Sequence, residues 1–165
     1  KKGARVRSGA YVEGPAFIGE GSDIGPNCYI RPCTSIGAGV RVGNGCEVKN
    51  SIVMDGTHAA HLSYVGDSII GVGCNLGAGT ITANIRFDEK PIKVNIEGRR
   101  VDSGRRKLGA LIGDNVQTGI NVSLMPGVKI GPEAWIAPGL VVYMDVPGGV
   151  FLTQQRAELR SEKRP

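Results

Sequence analysis

The chain has 165 residues, is 41% hydrophobic and carries a formal net charge of +5. That apolar content suits one domain with a core and excludes an intrinsically disordered chain. No apolar run approaches the roughly 18 residues of a membrane span, and no signal peptide opens the chain. Twenty-six glycines against only 5% aromatic residues point to a turn-rich repeat rather than a helix bundle. The first residues, "KKGARV", already lie inside that repeat, so a longer protein is expected.

From Val6 onward every sixth residue is apolar: Val6, Val12, Ile18, Ile24, Ile30, Ile36, Val42, Val48 and Met54. Two places before each stands a mostly small residue: Ala4, Ala10, Ala16, Ser22, Cys28, Thr34, Val40, Cys46 and Ile52. Neither a helix nor an alternating strand sustains a period of six. A hexapeptide β-solenoid does, with three hexads closing a triangular coil of about 18 residues. The large and small residues point inward and the one between them outward. Cys28, Cys46 and Cys74 occupy the small inward slot, and Cys33 falls one place before it, at a corner. With no C-x-x-C pair, all four are expected to be reduced thiols of a cytoplasmic protein.

The rhythm breaks over 55–69, within which lie both histidines of the chain, His58 and His61. It returns in a new phase at Ile70, Leu76 and Thr82, and again from Ile112 through Thr118, Leu124, Ile130 and Ile136 to Val142. Residues 83–109 then form an inserted loop, with a small hairpin expected across Glu97–Gly98. Residues 1–150 make up the repeat domain, and 151–165 a polar tail that is expected to form a short helix. Between Ile85 and Ala110 eight cations face four anions. A phosphate-bearing ligand explains that excess better than nucleic acid, because no aromatic platform accompanies it.

The stretches "YIRPCTSIGAGVRVGNGCEVKNS", "HLSYVGDSIIGVGCNLGAGTITANI" and "IGDNVQTGINVSLMPGVKIG" resemble one enzyme family. It is the C-terminal acetyltransferase domain of the bifunctional sugar-1-phosphate nucleotidylyltransferase/acetyltransferases. The long basic insertion is more like the archaeal members than the bacterial ones. The resemblance implies an all-β fold, a left-handed parallel β-helix, assembled as a homotrimer with active sites between subunits. It implies acetyl-CoA as co-substrate, with no metal. The acceptor would be glucosamine 1-phosphate or galactosamine 1-phosphate, feeding UDP-N-acetyl amino sugar synthesis. An N-terminal nucleotidylyltransferase domain would precede it in the full-length chain. No nucleic-acid or membrane partner is expected, and the location would be cytoplasmic.

The resemblance also implies roles for residues. His61 would be the general base, a task that suits an imidazole, which ordinarily titrates near pH 6.5. Glu47 would orient it, although an outward strand carboxylate also reads as ordinary solvated charge. Arg31 and Lys49 would hold the phosphate, where solvated surface charge is again the plainer reading. Tyr64 and Asn75 would contact the sugar phosphate and sugar, and Asn84 the sugar and acetyl group; Tyr64 also falls on the large-residue phase of the second register. Lys107 would approach the phosphate, with Arg105 or Arg106 as replacements. Ala78 and Gly79 would lie at the thioester, with a backbone N–H offered to the oxyanion. Ile120 and Pro138 would line the cofactor path, and Trp135 and Arg156 its adenosine end. The break over 55–69 would present His61 to a neighbouring subunit. Ile85 and Ile120 depart from the bacterial pattern, which leaves the choice of amino sugar open. Two other readings fit a hexapeptide solenoid. One is a trimerisation module without chemistry. The other is a γ-type carbonic anhydrase, whose metal needs three histidines where this chain has two.

Overall fold

Short strands of two to four residues alternate with tight corners and wind into a three-walled prism. The computed structural model describes residues 1–154, and no helix occurs among them. The first wall has eight strands, from Arg5–Val6 to Phe151–Leu152. The second has seven, from Tyr11–Val12 to Val141–Val142, and the third six, from Ala16–Ile18 to Lys129–Ile130. Each strand is parallel to the one a coil away, as in the pairing of Tyr29 with Glu47 and Ile30 with Val48. The hexads place Ile24, Ile30, Ile36, Val42 and Val48 at full burial along the axis. Ile70, Leu76, Ile112, Leu124, Ile130 and Ile136 continue that column. Cys28, Cys46 and Cys74 are buried and free, and Cys33 is exposed at its corner.

The phase change is not where the hexad count puts it. Val53 is 2% exposed and Met54 38%, and in the third wall Val53 pairs with Ile36 on one side and Ile70 on the other. The inward column therefore runs Val48, Val53, Ala59, Val65, Ile70. Two sides of the prism are one residue short, 48 to 53 and 65 to 70, and both lead from the second wall to the third. The histidine-bearing segment between them keeps the rhythm. The count fails because Ile52 and Met54 are apolar and sit in the expected slots, while the inward residues are Ser51 and Val53.

Serine hydroxyls brace the short corners. The Ser51 hydroxyl donates to the Lys49 carbonyl at 2.7 Å and accepts from the Ser68 N–H at 3.0 Å. One coil on, the Ser68 hydroxyl donates to the Gly66 carbonyl at 2.8 Å and accepts from the Ala110 N–H at 3.0 Å. Asn50 and Asp67 turn these corners at φ 46° and 52°, a region that Asn and Asp tolerate better than most residues. Ser68→Ala strands the Ala110 N–H inside the prism. It is expected to cost about 2 kcal/mol, read as a lower urea midpoint with an unchanged slope.

The insertion leaves the second wall at Asn84 and returns at Leu108, whose N–H donates to the Asn84 carbonyl at 3.0 Å. Its hairpin pairs Lys93–Ile96 with Arg99–Asp102 across Glu97–Gly98, as the sequence predicts. Buried Ile92 and the bond from the Lys129 ammonium to the Asn95 carbonyl dock the insertion on the prism. Phe151–Leu152 pairs with Trp135–Ile136, so the first wall runs past residue 150. The helix expected in the tail lies outside the described residues, as does Arg156. No helix of the described residues is long and apolar enough to cross a membrane.

Candidate active site

Along the edge between the first and second walls, corners of successive coils stack. The Gly79 N–H donates to the His61 carbonyl at 3.3 Å, Asn121 N–H to the Ala78 carbonyl at 2.8 Å, and Gly139 N–H to the Ile120 carbonyl at 2.8 Å. His61, Ala78–Gly79, Ile120 and Pro138 thus line one edge, brought together by coil periods that no local motif reveals. Gly79 has a φ of 75°, which a side chain would resist. The Ala78 N–H donates to no acceptor among the described residues. At other corners an aspartate takes that donor, as Asp55 does for Ala38 and Asp114 for Val72. Beside Ala78 the next coil carries Ile120, which has no acceptor on its side chain. His61 is exposed, and its ring forms no hydrogen bond among the described residues.

A second group lies on the outer face of the second wall and at the short corners. Arg31 pairs with Glu47 at 2.8 Å and lies over the Tyr29 ring at 5.6 Å. Its Nε is buried and has no partner among the described residues. The Glu47 carboxylate thus engages a guanidinium rather than an imidazole. Arg31 lies one coil below Glu47 on the same wall, whereas His61 is at the edge, in register with Asn44. Tyr64 points outward, in register with Glu47, while Ser63 and Val65 on either side are buried. Its place on the sixth-residue phase of the second register did not make it a core residue, because the second short side, 65 to 70, puts the inward slot one place later, at Val65.

Asp67, to which the sequence pattern assigns no role, is the centre of this group. Its carboxylate accepts from Lys49 at 2.8 Å, Asn50 at 2.7 Å and Asn84 at 2.5 Å. Asn84 also donates to the Tyr64 hydroxyl at 3.1 Å. Burial works to raise the Asp67 pKa, but the bonds from Lys49, Asn50 and Asn84 outweigh it and hold the carboxyl below its usual value. A depressed carboxyl contributes its stability above its unfolded pKa and loses it as pH falls through the folded one. The cluster is therefore intact at neutral pH. The available signal was the acidic residue closing "SYVGD", at the corner of a shortened side.

Gly66 keeps Tyr64 in place. A methyl group there would overlap the Tyr64 ring and hydroxyl. Gly66→Ala is expected to turn the ring off Asn84, read as loss of the Tyr64–Asn84 bond in a structure of the variant, with the unfolding midpoint as control.

Not all expected residues gather here. Asn75 and Trp135 lie on the first wall, in one exposed ladder through Gln117, and Trp135 meets Phe151 edge-on at 6.4 Å. Lys107 is exposed where the insertion returns, bridged through its backbone to Ile85. Arg106 is taken by Glu89 at 2.9 Å. Arg105 lines a cleft of about 270 Å³ with Asn50, Asp67 and Leu108, so of the three it stands beside the polar cluster.

Prism and edge together define a hexapeptide-repeat β-solenoid whose polar side chains gather at one edge and one shortened corner. A family model described as the GMPPB C-terminal domain matches residues 12–124, and one described as bacterial transferase hexapeptide (six repeats) matches 109–143. The chain belongs to the GMPPB C-terminal domain family. It is 56% identical over 148 residues to the bifunctional sugar-1-phosphate nucleotidylyltransferase/acetyltransferase of Sulfurisphaera tokodaii, covering 90% of this chain and 37% of that protein. It is 56% identical over 128 residues to the bifunctional protein GlmU of Methanocaldococcus jannaschii, covering 78% and 31%. The chain therefore spans only about a third of the length of these relatives, 37% and 31%. Among solved structures, the acetyltransferase domain of PglB from Neisseria gonorrhoeae matches with a TM-score of 0.50 and 17% identity, over 88% of this chain and 52% of that one. That likeness shows the fold alone.

Proposed function

We propose that this domain transfers the acetyl group of acetyl-CoA to the amine of an amino-sugar 1-phosphate. The observation that carries the reading is the shared edge: His61, exposed and with a free ring, stands one coil from the unclaimed Ala78 N–H. The name of the Sulfurisphaera tokodaii relative supports acetyl transfer and a sugar 1-phosphate. The sugar amine attacks the thioester carbonyl, and a carbon–nitrogen bond forms. His61 accepts the amine proton. The Ala78 N–H donates to the oxyanion of the tetrahedral intermediate. The carbon–sulfur bond then breaks, and the CoA sulfur leaves with the proton held by His61. Arg31 and Lys49 receive the phosphate, and Tyr64 and Asn84 the sugar.

Within one protomer Asn75 and Trp135 lie on a different wall from Tyr64 and Asn84. A homotrimer would unite them if the first wall of one copy faced the second wall of its neighbour. CoA would then run along Ala78, Gly79, Ile120 and Pro138 toward Trp135. Glucosamine 1-phosphate and galactosamine 1-phosphate are the acceptors to test. Thiol release from acetyl-CoA is followed with each. Release that depends on either sugar supports the reading, and the ratio of rates names the acceptor. A folded protein that releases no thiol with either one refutes it and favours a trimerisation module.

A further inference from the structure

The short corner at Asp67 does not require an acid. One coil earlier Asn50 turns the equivalent corner at nearly the same φ, and a buried carboxylate is costly unless its partners are in place. Asp67 is 8% exposed, and each donor it takes belongs to a side chain of the polar cluster. A carboxylate only accepts hydrogen bonds. It therefore fixes which end of Asn84 turns inward: Nδ2 is committed to Asp67 and to the Tyr64 hydroxyl. The Asn84 Oδ1 is left to accept from a ligand. The Tyr64 oxygen, already accepting, keeps its own proton to donate. The Lys49 ammonium is held at the same carboxylate. The Asp67 carbonyl also accepts from Gly109 at 2.8 Å, where the insertion rejoins the prism.

We infer that Asp67 is a positioning residue that sets the donor and acceptor polarity of the sugar-phosphate site, acting through Asn84, Tyr64 and Lys49. The inference rests on the acetyltransferase reading above. It makes Asn84 an obligatory acceptor toward a sugar hydroxyl or amine and Tyr64 an obligatory donor toward a sugar or phosphate oxygen. Discrimination between amino sugars that differ in one hydroxyl configuration would then depend on a residue that touches neither.

Asp67→Asn tests this, since asparagine has the same shape and tolerates the positive φ. It puts an amide donor in place of one carboxylate oxygen, against either Asn50 or the Lys49 and Asn84 pair, so the three donors can no longer all be accepted. The KM for the preferred amino-sugar 1-phosphate is expected to rise at least about tenfold. The ratio of kcat/KM between the glucosamine and galactosamine substrates should move toward one. The KM for acetyl-CoA should stay within twofold, which a general loss of structure would not produce. Should Asp67→Asn fail to fold, Asn50→Gly loosens the same carboxylate and keeps the corner, and a smaller rise confined to the sugar KM is expected. An unchanged sugar KM in the folded variants, or parallel changes in both KM values, overturns the inference. If the parent protein itself shows no sugar-dependent thiol release, the reaction reading fails, and the role of Asp67 with it.

Discussion

His61→Ala is expected to lower kcat for acetyl transfer by between about a hundredfold and ten-thousandfold, the span a positioned general base commands. The amine must lose a proton as it attacks, and along this edge the imidazole is the side chain suited to take it. The ring is exposed and makes no hydrogen bond among the described residues, so the unfolding midpoint should not move. His58→Ala is the control. His58 lies three residues earlier on the first wall, in register with Arg41 and Asn75, and its loss should leave kcat within twofold. A His61→Ala variant with near-parent turnover would remove the base from the account.

Lys49→Met and Arg31→Met are expected to separate two cations that the proposed function treats alike. Both are paired to carboxylates at 2.8 Å, but the surroundings differ. The Lys49 and Asp67 side chains are 18% and 5% exposed, against 37% and 35% for Arg31 and Glu47. Removing Lys49 leaves a buried carboxylate without its counter-charge, although Asn50 and Asn84 still donate to it, a loss of about 3 kcal/mol. Exposed pairs contribute little, so Arg31→Met should unfold close to the parent. Both should raise the KM for the sugar phosphate, by roughly ten- to a hundredfold for each cation removed from the phosphate. Urea unfolding with steady-state kinetics reads both effects. Equal stability losses would mean that the Asp67 corner is not the buried ion pair described.

The prism was legible because it is written in a strict period. The large residues from Ile24 to Val48 and from Ile70 to Val142 fall where the hexads put them, and the hairpin turns at Glu97–Gly98. The two short sides were not legible. A five-residue side differs from a hexad by one deletion, and Ile52 and Met54 imitate the missing slots while remaining exposed. Serine is no marker of a short side either, since Ser22 and Thr57 make the same kind of hydroxyl bonds at full sides. The site was legible as a set of names rather than as an arrangement. His61, Ala78 and Ile120 come together only through coils of different length. The pairing of Glu47 with Arg31 on the second wall is likewise absent from the sequence pattern. Asp67 passed unremarked because its role lies in what it holds.

The most direct test is a structure of the protein with CoA and glucosamine 1-phosphate. The CoA sulfur should lie at the Ala78–Gly79 corner beside His61, with the sugar amine between them and the phosphate against Arg31 and Lys49. CoA bound on another edge, or a sugar phosphate held away from Tyr64 and Asn84, would contradict the account.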